Sequence, residues 1–122
     1  MCLYAKGSRI KYEIAEEDIV VYKRLLLDNR SPYMKFQYKS NSTITLKKRL
    51  VAYARFEISE GLHAYVSRKT AKRECYKGKT YSYCDEKVVK MIIPAGTRYA
   101  LGTNDEIVSE CLVTGRLRNN GG

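Results

Sequence analysis

Val88–Leu117, VVKMIIPAGTRYALGTNDEIVSECLVTGRL, is the stretch that decides the fold. A strand begins at Val88, and Pro94 ends it because proline cannot donate a hydrogen bond to a neighbouring strand. The Ala95–Gly96 turn, a short second strand and a second polar turn lead into a last strand over Ile107–Val113. One face of that last strand is predicted to carry Ile107, Ser109, Cys111 and Val113. We expect the other apolar clusters of the chain to pack onto these strands.

Three further segments have the apolar run or the alternation of a β-strand. Ile19–Leu27, IVVYKRLLL, favours a buried central strand that ends at the breaker cluster Asp28–Pro32. Leu50–Ile58 and Leu62–Val66 alternate apolar and polar residues, as half-buried strands do. In the second of these two strands the residues predicted to face the core are Leu62, Ala64 and Val66.

A helix is predicted over about residues 67–77, with Ser67 as its N-cap. At 3.6 residues per turn, Ala71 and Cys75 face the core. The outer face then carries a cationic stripe with one aromatic residue, consisting of Arg68, Lys69, Lys72, Arg73 and Tyr76. Such a stripe is either a solvated helix face or a surface that binds a partner.

Positive charge is the clearest global property of the 122-residue chain, whose formal net charge is +10. This charge would attract nucleic acid or another polyanion, or it would only keep the protein soluble. Besides the helix, the run Lys47, Lys48 and Arg49 is a candidate part of a binding surface. The aromatic residues Tyr33, Phe36 and Tyr38 predict either a lid over the core or a stacking platform for bases.

Several classes of protein and site are disfavoured by the sequence. No apolar run approaches the roughly 20 residues of a membrane span, and the start, MCLYAKGSR, lacks the features of a signal peptide, so we expect a soluble cytoplasmic protein. The four cysteines form no CxxC pair and the chain has one histidine, so no metal site is expected and reduced cysteines are favoured over disulfides. Glycine-rich phosphate loops and a GxSxG elbow are absent from the sequence.

These patterns predict a single α+β domain over residues 1–115, followed by a flexible polar tail over residues 116–122. Its architecture would be a twisted, mostly antiparallel sheet with one main helix.

The order of motifs resembles the core of the ADP-ribosyltransferase superfamily. The resemblance lies in VYKRL, in GLHAYVSRKTA running from strand into helix, and in KVVKMIIPAGTRYALG followed by DEIVSECLV. It implies NAD as cofactor, an arginine or histidine on a first strand that holds NAD, and a Ser-Thr-Ser or tyrosine motif on a later strand. It also implies a glutamate near the start of a late strand, where an anion stabilises the oxocarbenium character of the reacting ribose.

The family positions transfer to this chain incompletely. The first-strand position falls on Lys23 or Arg24, and the glutamate falls on Glu106, or on Glu110 in another register. The serine motif falls on His63-Ala64-Tyr65, which is not Ser-Thr-Ser. The resemblance thus suggests a nucleotide cleft whose candidate catalytic residues are His63, Tyr65 and Glu106. The alternative interpretation is a hydrogen-bonded strand histidine with solvated glutamates at the rim.

The chain also resembles small proteins of phages and prophages of gut bacteria, through MCLY, YKRLLLDNRSPYMKF, and EGLHAY followed by IPAGTRYALG. This resemblance implies a viral protein acting in the host cytoplasm, often by binding a host factor such as a component of host defence. Our leading hypothesis is therefore a non-catalytic protein that binds a host nucleoprotein or nucleic acid through its basic residues, without a cofactor. An ADP-ribosyltransferase-like enzyme or degenerate nucleotide-binding protein is the second hypothesis, and a virion or assembly component is the third.

Overall fold

The structure, a computed structural model, describes residues 3–4, 10–32, 36–49, 57–58, 61–78 and 86–118. Within these ranges the chain forms one helix and ten strands. They are β1 (Leu3–Tyr4), β2 (Tyr12–Ile14), β3 (Ile19–Leu26), β4 (Thr43–Thr45), β5 (Glu57–Ile58), β6 (Leu62–Tyr65), α1 (Arg68–Gly78), β7 (Glu86–Ile93), β8 (Arg98–Leu101), β9 (Glu106–Ser109) and β10 (Cys111–Thr114).

Eight of the described strands form one antiparallel sheet, in the order β2-β8-β9-β6-β3-β7-β10-β4, and β1 pairs with β5 apart from it. The molecule is thus a small, mostly β domain with one described helix, which confirms the predicted antiparallel sheet and single main helix. β3 lies between β6 and β7, as expected for the central strand predicted over Ile19–Leu27. No helix among the described residues is long and apolar enough to cross a membrane.

The strand pairings close into a ring at Glu110, the one residue between β9 and β10. β9 pairs with β6, β6 with β3, β3 with β7, and β7 with β10, so the ladder returns to the same segment of chain. The Glu110 N–H donates to the Arg98 carbonyl at 3.1 Å, while its carbonyl accepts from the Leu46 N–H at 2.8 Å. Glu110 is therefore the corner at which one long strand changes partners, as residues at bulges do.

This corner corrects the prediction for the last strand. Ile107 and Leu112 both belong to the interior cluster although an odd number of positions separates them. The extra residue at the corner reverses the alternation, so Cys111 and Val113 do not share the interior face with Ile107. The prediction of a single face through Val113 was wrong for that reason.

The interior of the ring is filled by apolar side chains. Its buried members are Val21, Leu25, Tyr38, Ala64, Met91, Ile93, Ile107 and Leu112. Tyr38 is 4% exposed and contacts Phe36 edge-on with 4.9 Å between ring centroids. The lid predicted from the aromatic segment is thus confirmed at Tyr38, whereas Phe36 is largely exposed and Tyr33 lies outside the described residues.

A second apolar cluster covers the outer side of β8 and β9. Leu3, Ile10, Ala100 and Val108 form it. Gly102 allows β1 to cross there, because a Cβ at this position would stand 2.5 Å from the Leu3 Cγ and 2.7 Å from the Tyr4 carbonyl oxygen.

Helix α1 begins as predicted. The Thr70 N–H donates to the Ser67 Oγ at 3.4 Å, so Ser67 caps the helix. Ala71 and Cys75 are buried where α1 packs on β3, β6 and β7, which confirms the predicted inner face.

The remaining strand predictions have mixed outcomes. Val66, predicted to face the core, is 38% exposed, because β6 ends at Tyr65 and the Val66 N–H turns to the Asp105 carbonyl. Residues 50–56 of the predicted strand Leu50–Ile58 lie outside the described residues. β4 was not predicted. The polar tail is held to the core at Leu117, whose N–H donates to the Ser40 Oγ at 2.8 Å.

Candidate functional site

The outer face of α1 carries the basic stripe that the sequence predicted. The side chains of Arg68, Lys69, Lys72 and Arg73 are all exposed. Positions four apart lie above one another on a helix, so Arg68 with Lys72 and Lys69 with Arg73 form two parallel rows of cations. We call these four residues the basic stripe. The Tyr76 side chain lies outside the described residues.

A tight turn between β8 and β9 anchors α1. Asn104 and Asp105 adopt left-handed φ angles of 58° and 59°, which asparagine and aspartate tolerate better than most residues. The Thr70 hydroxyl donates to the Asp105 Oδ2 at 2.7 Å, and the Arg73 guanidinium donates to the Asn104 Oδ1 at 2.8 Å. The Asn104 amide in turn donates to the Glu74 Oε1 at 3.2 Å. The basic stripe therefore stands on a support fixed at several points.

The second predicted basic group lies on a different element. Lys47, Lys48 and Arg49 are exposed and follow β4, which pairs with β10 at one end of the sheet order. α1 packs instead on β3, β6 and β7. The two basic groups that the sequence treated as one surface thus lie on different elements.

An ion pair lies in the layer beneath α1. The Arg24 Nη2 donates to both Glu86 carboxylate oxygens at 2.8 Å, and the two side chains are only 13% and 4% exposed. Burial disfavours the charged form of Arg24, but the hydrogen bonds and charge of Glu86 outweigh this effect and raise the pKa of Arg24 above its ordinary value. Sequence reasoning missed Glu86, because the predicted strand begins only at Val88; its place just before the apolar strand residues was the available signal.

Tyr65 joins this layer from β6. It stands opposite Tyr22 on one side and opposite Glu106 on the other, and Arg24 hydrogen-bonds to it. Burial raises the pKa of Tyr65 to about 12; the Arg24 hydrogen bond opposes that rise, and the charges of Glu106 and Glu74 add to it. Tyr65 is therefore a neutral phenol at physiological pH.

Glu106 is the half-open end of the layer. Its side chain is half-buried, and its Oε2 is buried without a hydrogen-bond partner among the described residues. Burial raises the pKa of Glu106, and the negative charge of Glu74 on α1 adds to the rise. Glu106 thus does not point freely into solvent.

The structure brings some of the candidate nucleotide-site residues together and places others apart. Arg24, Tyr65 and Glu106 come together, as the second hypothesis requires. His63 is buried opposite Val108, two residues from Tyr65 along β6. Glu110, the glutamate of the alternative register, is held at the sheet corner by Arg98, with 3.2 Å between the Nη1 and Oε2 atoms. Its carboxylate is therefore engaged at this corner and not with Arg24 and Tyr65.

Lys23, the alternative first-strand residue, lies on the opposite side of β3, inside the ring. Its ammonium donates to the His63 carbonyl at 2.5 Å and stands 5.5 Å from the centroid of the Tyr38 ring. Burial lowers the pKa of Lys23 to about 8. The Lys23 ammonium makes a cation–π contact with the Tyr38 ring. It lies inside the ring of strands, away from Glu106.

The chemistry available to the layer beneath α1 is limited by its packing. Tyr65 is 2% exposed, so a ligand could reach it only after a change in the surrounding packing. Among the described residues, no group of three or more histidine, cysteine, aspartate or glutamate side chains could hold a metal ion. The exposed basic stripe, by contrast, is available for binding as it stands.

Comparison of the chain with protein-family models, with curated proteins and with solved structures finds no match.

Proposed function

We propose that this protein is a non-catalytic, phage-type binding protein that engages nucleic acid of the host, free or within a nucleoprotein, through the basic stripe of α1. The observation that carries the proposal is the exposure of all four stripe cations on a helix that Thr70 and Arg73 anchor to the turn between β8 and β9. A rigid support lowers the entropy lost when cationic side chains bind phosphates.

The charge of the stripe is neutralised only in part by α1 itself. Glu74 is the only acidic residue in α1; its carboxylate lies 3.9 Å from the Arg73 Nε and accepts from the Asn104 amide on the turn. Four exposed acids, Glu13, Glu16, Glu17 and Asp18, lie in β2 and the connection to β3, whereas Asp105 lies beside α1 and accepts from the Thr70 hydroxyl. The net positive charge that remains on α1 favours binding of a polyanion over a purely solubilising role.

Salt dependence of binding tests the proposal. The double variant Lys69→Glu/Lys72→Glu should weaken binding of a fluorescent oligonucleotide at least tenfold at low salt, and should reduce the slope of log K against log salt concentration by about 2. The matched control is Lys11→Glu/Lys39→Glu, which makes the same change in net charge at exposed lysines outside α1 and should have a small effect.

Two results would overturn the proposal. One is binding that does not change between low and moderate salt. The other is an equal loss of affinity in the stripe variant and the control, since that would assign the attraction to net charge alone. A third variant, Lys47→Glu/Lys48→Glu, reports whether the run after β4 contributes to the same contact.

A second candidate function is a nucleotide site at Arg24, Tyr65 and Glu106. It is supported by the proximity of these three side chains and by the buried Glu106 oxygen, which has no hydrogen-bond partner in the part of the chain that the structure describes. NAD or ADP-ribose should then raise the melting temperature, and Glu106→Gln should reduce this shift or any NAD hydrolysis. Absence of both stabilisation and turnover would eliminate this candidate.

A further inference from the structure

One part of the outer sheet face beyond α1 is apolar and open to solvent. A row of side chains crosses four strands there, because Val20 pairs with Ile92, Ile92 with Val113, and Val113 with Thr43. Val20 is 40% exposed, Ile92 and Val113 are half-buried, and Thr43 is exposed. We call Val20, Ile92 and Val113 the apolar row.

The next row connects the apolar row to α1. Tyr22 pairs with Lys90 on one side and with Tyr65 on the other; its ring is half-buried and Lys90 is exposed. One further step along β3 lies Arg24, in the layer beneath α1. An aromatic ring and a cation thus stand between the apolar row and the basic stripe, on one face of the sheet.

Charge on this face complements an anion. Lys90 and the basic stripe supply its positive charge. Of the acids on this face among the described residues, Glu86 is paired with Arg24, Glu106 is half-buried beside Tyr65, and the exposed Asp18 carboxylate accepts from the Ala95 N–H at 2.9 Å. A polyanion that also offers apolar surface would therefore fit here better than a neutral partner.

We propose, on the basis of the function proposed above, that the bound nucleic acid is single-stranded and extends from the basic stripe across Lys90 onto Tyr22 and the apolar row. A duplex stacks its bases on one another and presents mainly phosphates outside, so an apolar face adds little to its binding. A single strand exposes the flat faces of its bases, which stack on aromatic and apolar side chains while cations hold the phosphates.

The test compares a single strand and a duplex of equal length against matched variants. Val20→Thr/Ile92→Thr/Val113→Thr replaces the apolar row while keeping β-branched side chains suited to a strand. It should weaken single-strand binding about tenfold and leave duplex binding unchanged. The control, Val66→Thr/Leu101→Thr, changes two comparably exposed apolar side chains elsewhere and should leave both affinities unchanged.

A measurement on the unaltered protein covers the case in which the triple variant fails to fold. Photocrosslinking of a bromouracil-containing single strand should label the peptide that contains Tyr22. Labelling confined to α1 would overturn the single-strand proposal.

The outcomes separate this proposal from the one it rests on. Equal affinity for single strand and duplex would overturn the single-strand proposal, and so would normal single-strand binding by the triple variant. In either case the proposed function would still stand if Lys69→Glu/Lys72→Glu lowers the affinity for the oligonucleotide. If neither the single strand nor the duplex binds, both proposals are overturned. This is the result expected if the occupant of this face is another protein.

Discussion

Lys23 and Arg24 are neighbours in β3, yet their side chains enter two regions that shift the pKa of a cation in opposite directions. Lys23 enters the apolar interior of the ring, where burial lowers its pKa to about 8. Arg24 enters the layer beneath α1, where Glu86 raises its pKa. Because successive side chains of a strand point to opposite faces, one step along the chain separates these two environments.

The difference shows two ways in which this fold accommodates a buried cation. In the interior, Lys23 has a carbonyl and an aromatic ring as partners, and part of the desolvation cost remains as a lowered pKa. In the layer, Arg24 has a carboxylate with near-ideal geometry, and the pair stabilises both charges. The stability of the layer therefore depends on the presence of both Arg24 and Glu86. The stability of the interior around Lys23 depends instead on pH.

The largest effect is expected from breaking the ion pair. Arg24→Met leaves the Glu86 carboxylate buried without its cation, and should lower the free energy of unfolding by about 3–5 kcal/mol. Urea denaturation followed by circular dichroism measures this loss.

The double variant Arg24→Met/Glu86→Met is the control for this ion pair. It removes the uncompensated charge and should recover most of the stability lost in the single variant. A single variant that loses less than about 1 kcal/mol would contradict the assignment of Arg24 and Glu86 as a buried pair.

A smaller effect, with a distinct pH dependence, is expected from Lys23. Its pKa of about 8 in the folded protein lies below the ordinary 10.5, so between these values the unfolded state binds more protons. The free energy of unfolding should therefore rise with pH. Between pH 7 and pH 10 the wild type should gain about 2 kcal/mol of stability relative to the Lys23→Met variant.

The comparison with Lys23→Met isolates the lysine, because both proteins retain Tyr38 and Tyr65, whose pKa values burial raises to about 12. Denaturant midpoints at several pH values provide the measurement. A stability difference that stays constant from pH 7 to pH 10 would show that the Lys23 ammonium is not desolvated.

The sequence predicted the parts of the fold that depend on local chemistry. Pro94 ended a strand, Ser67 capped a helix and the apolar run of β3 marked the centre of the sheet, because each signal acts within a few residues. The corner at Glu110 was not predictable, since the alternation continues through it in the sequence. Only the pairing of β10 with β4 and β7 reveals the change of phase.

The candidate site was predictable to a similar extent. Exposure of the basic stripe followed from helical periodicity, whereas its support by Asn104 and Asp105 did not, because those contacts span about thirty residues of chain. The choice between Lys23 and Arg24 also required the structure. Sequence alone does not say which face of a strand will be apolar when both faces are partly buried.

The smallest effect is expected at Glu106, where the layer opens to solvent. Burial and the charge of Glu74 raise its pKa, so the folded state keeps this proton at a pH where the unfolded chain has lost it. Stability from this group is present at acidic pH and is lost as pH rises through the raised pKa. Glu106→Gln should therefore stabilise the protein at pH 7, by only about 0.5 kcal/mol because water screens the half-buried carboxylate, and should have no such effect near pH 4. Placing the same substitution in a Glu74→Gln background should reduce the gain, since one source of repulsion is already gone. A loss of stability at pH 7 would instead mean that Glu106 has a favourable partner, and would weaken the case for an open carboxylate in a nucleotide site.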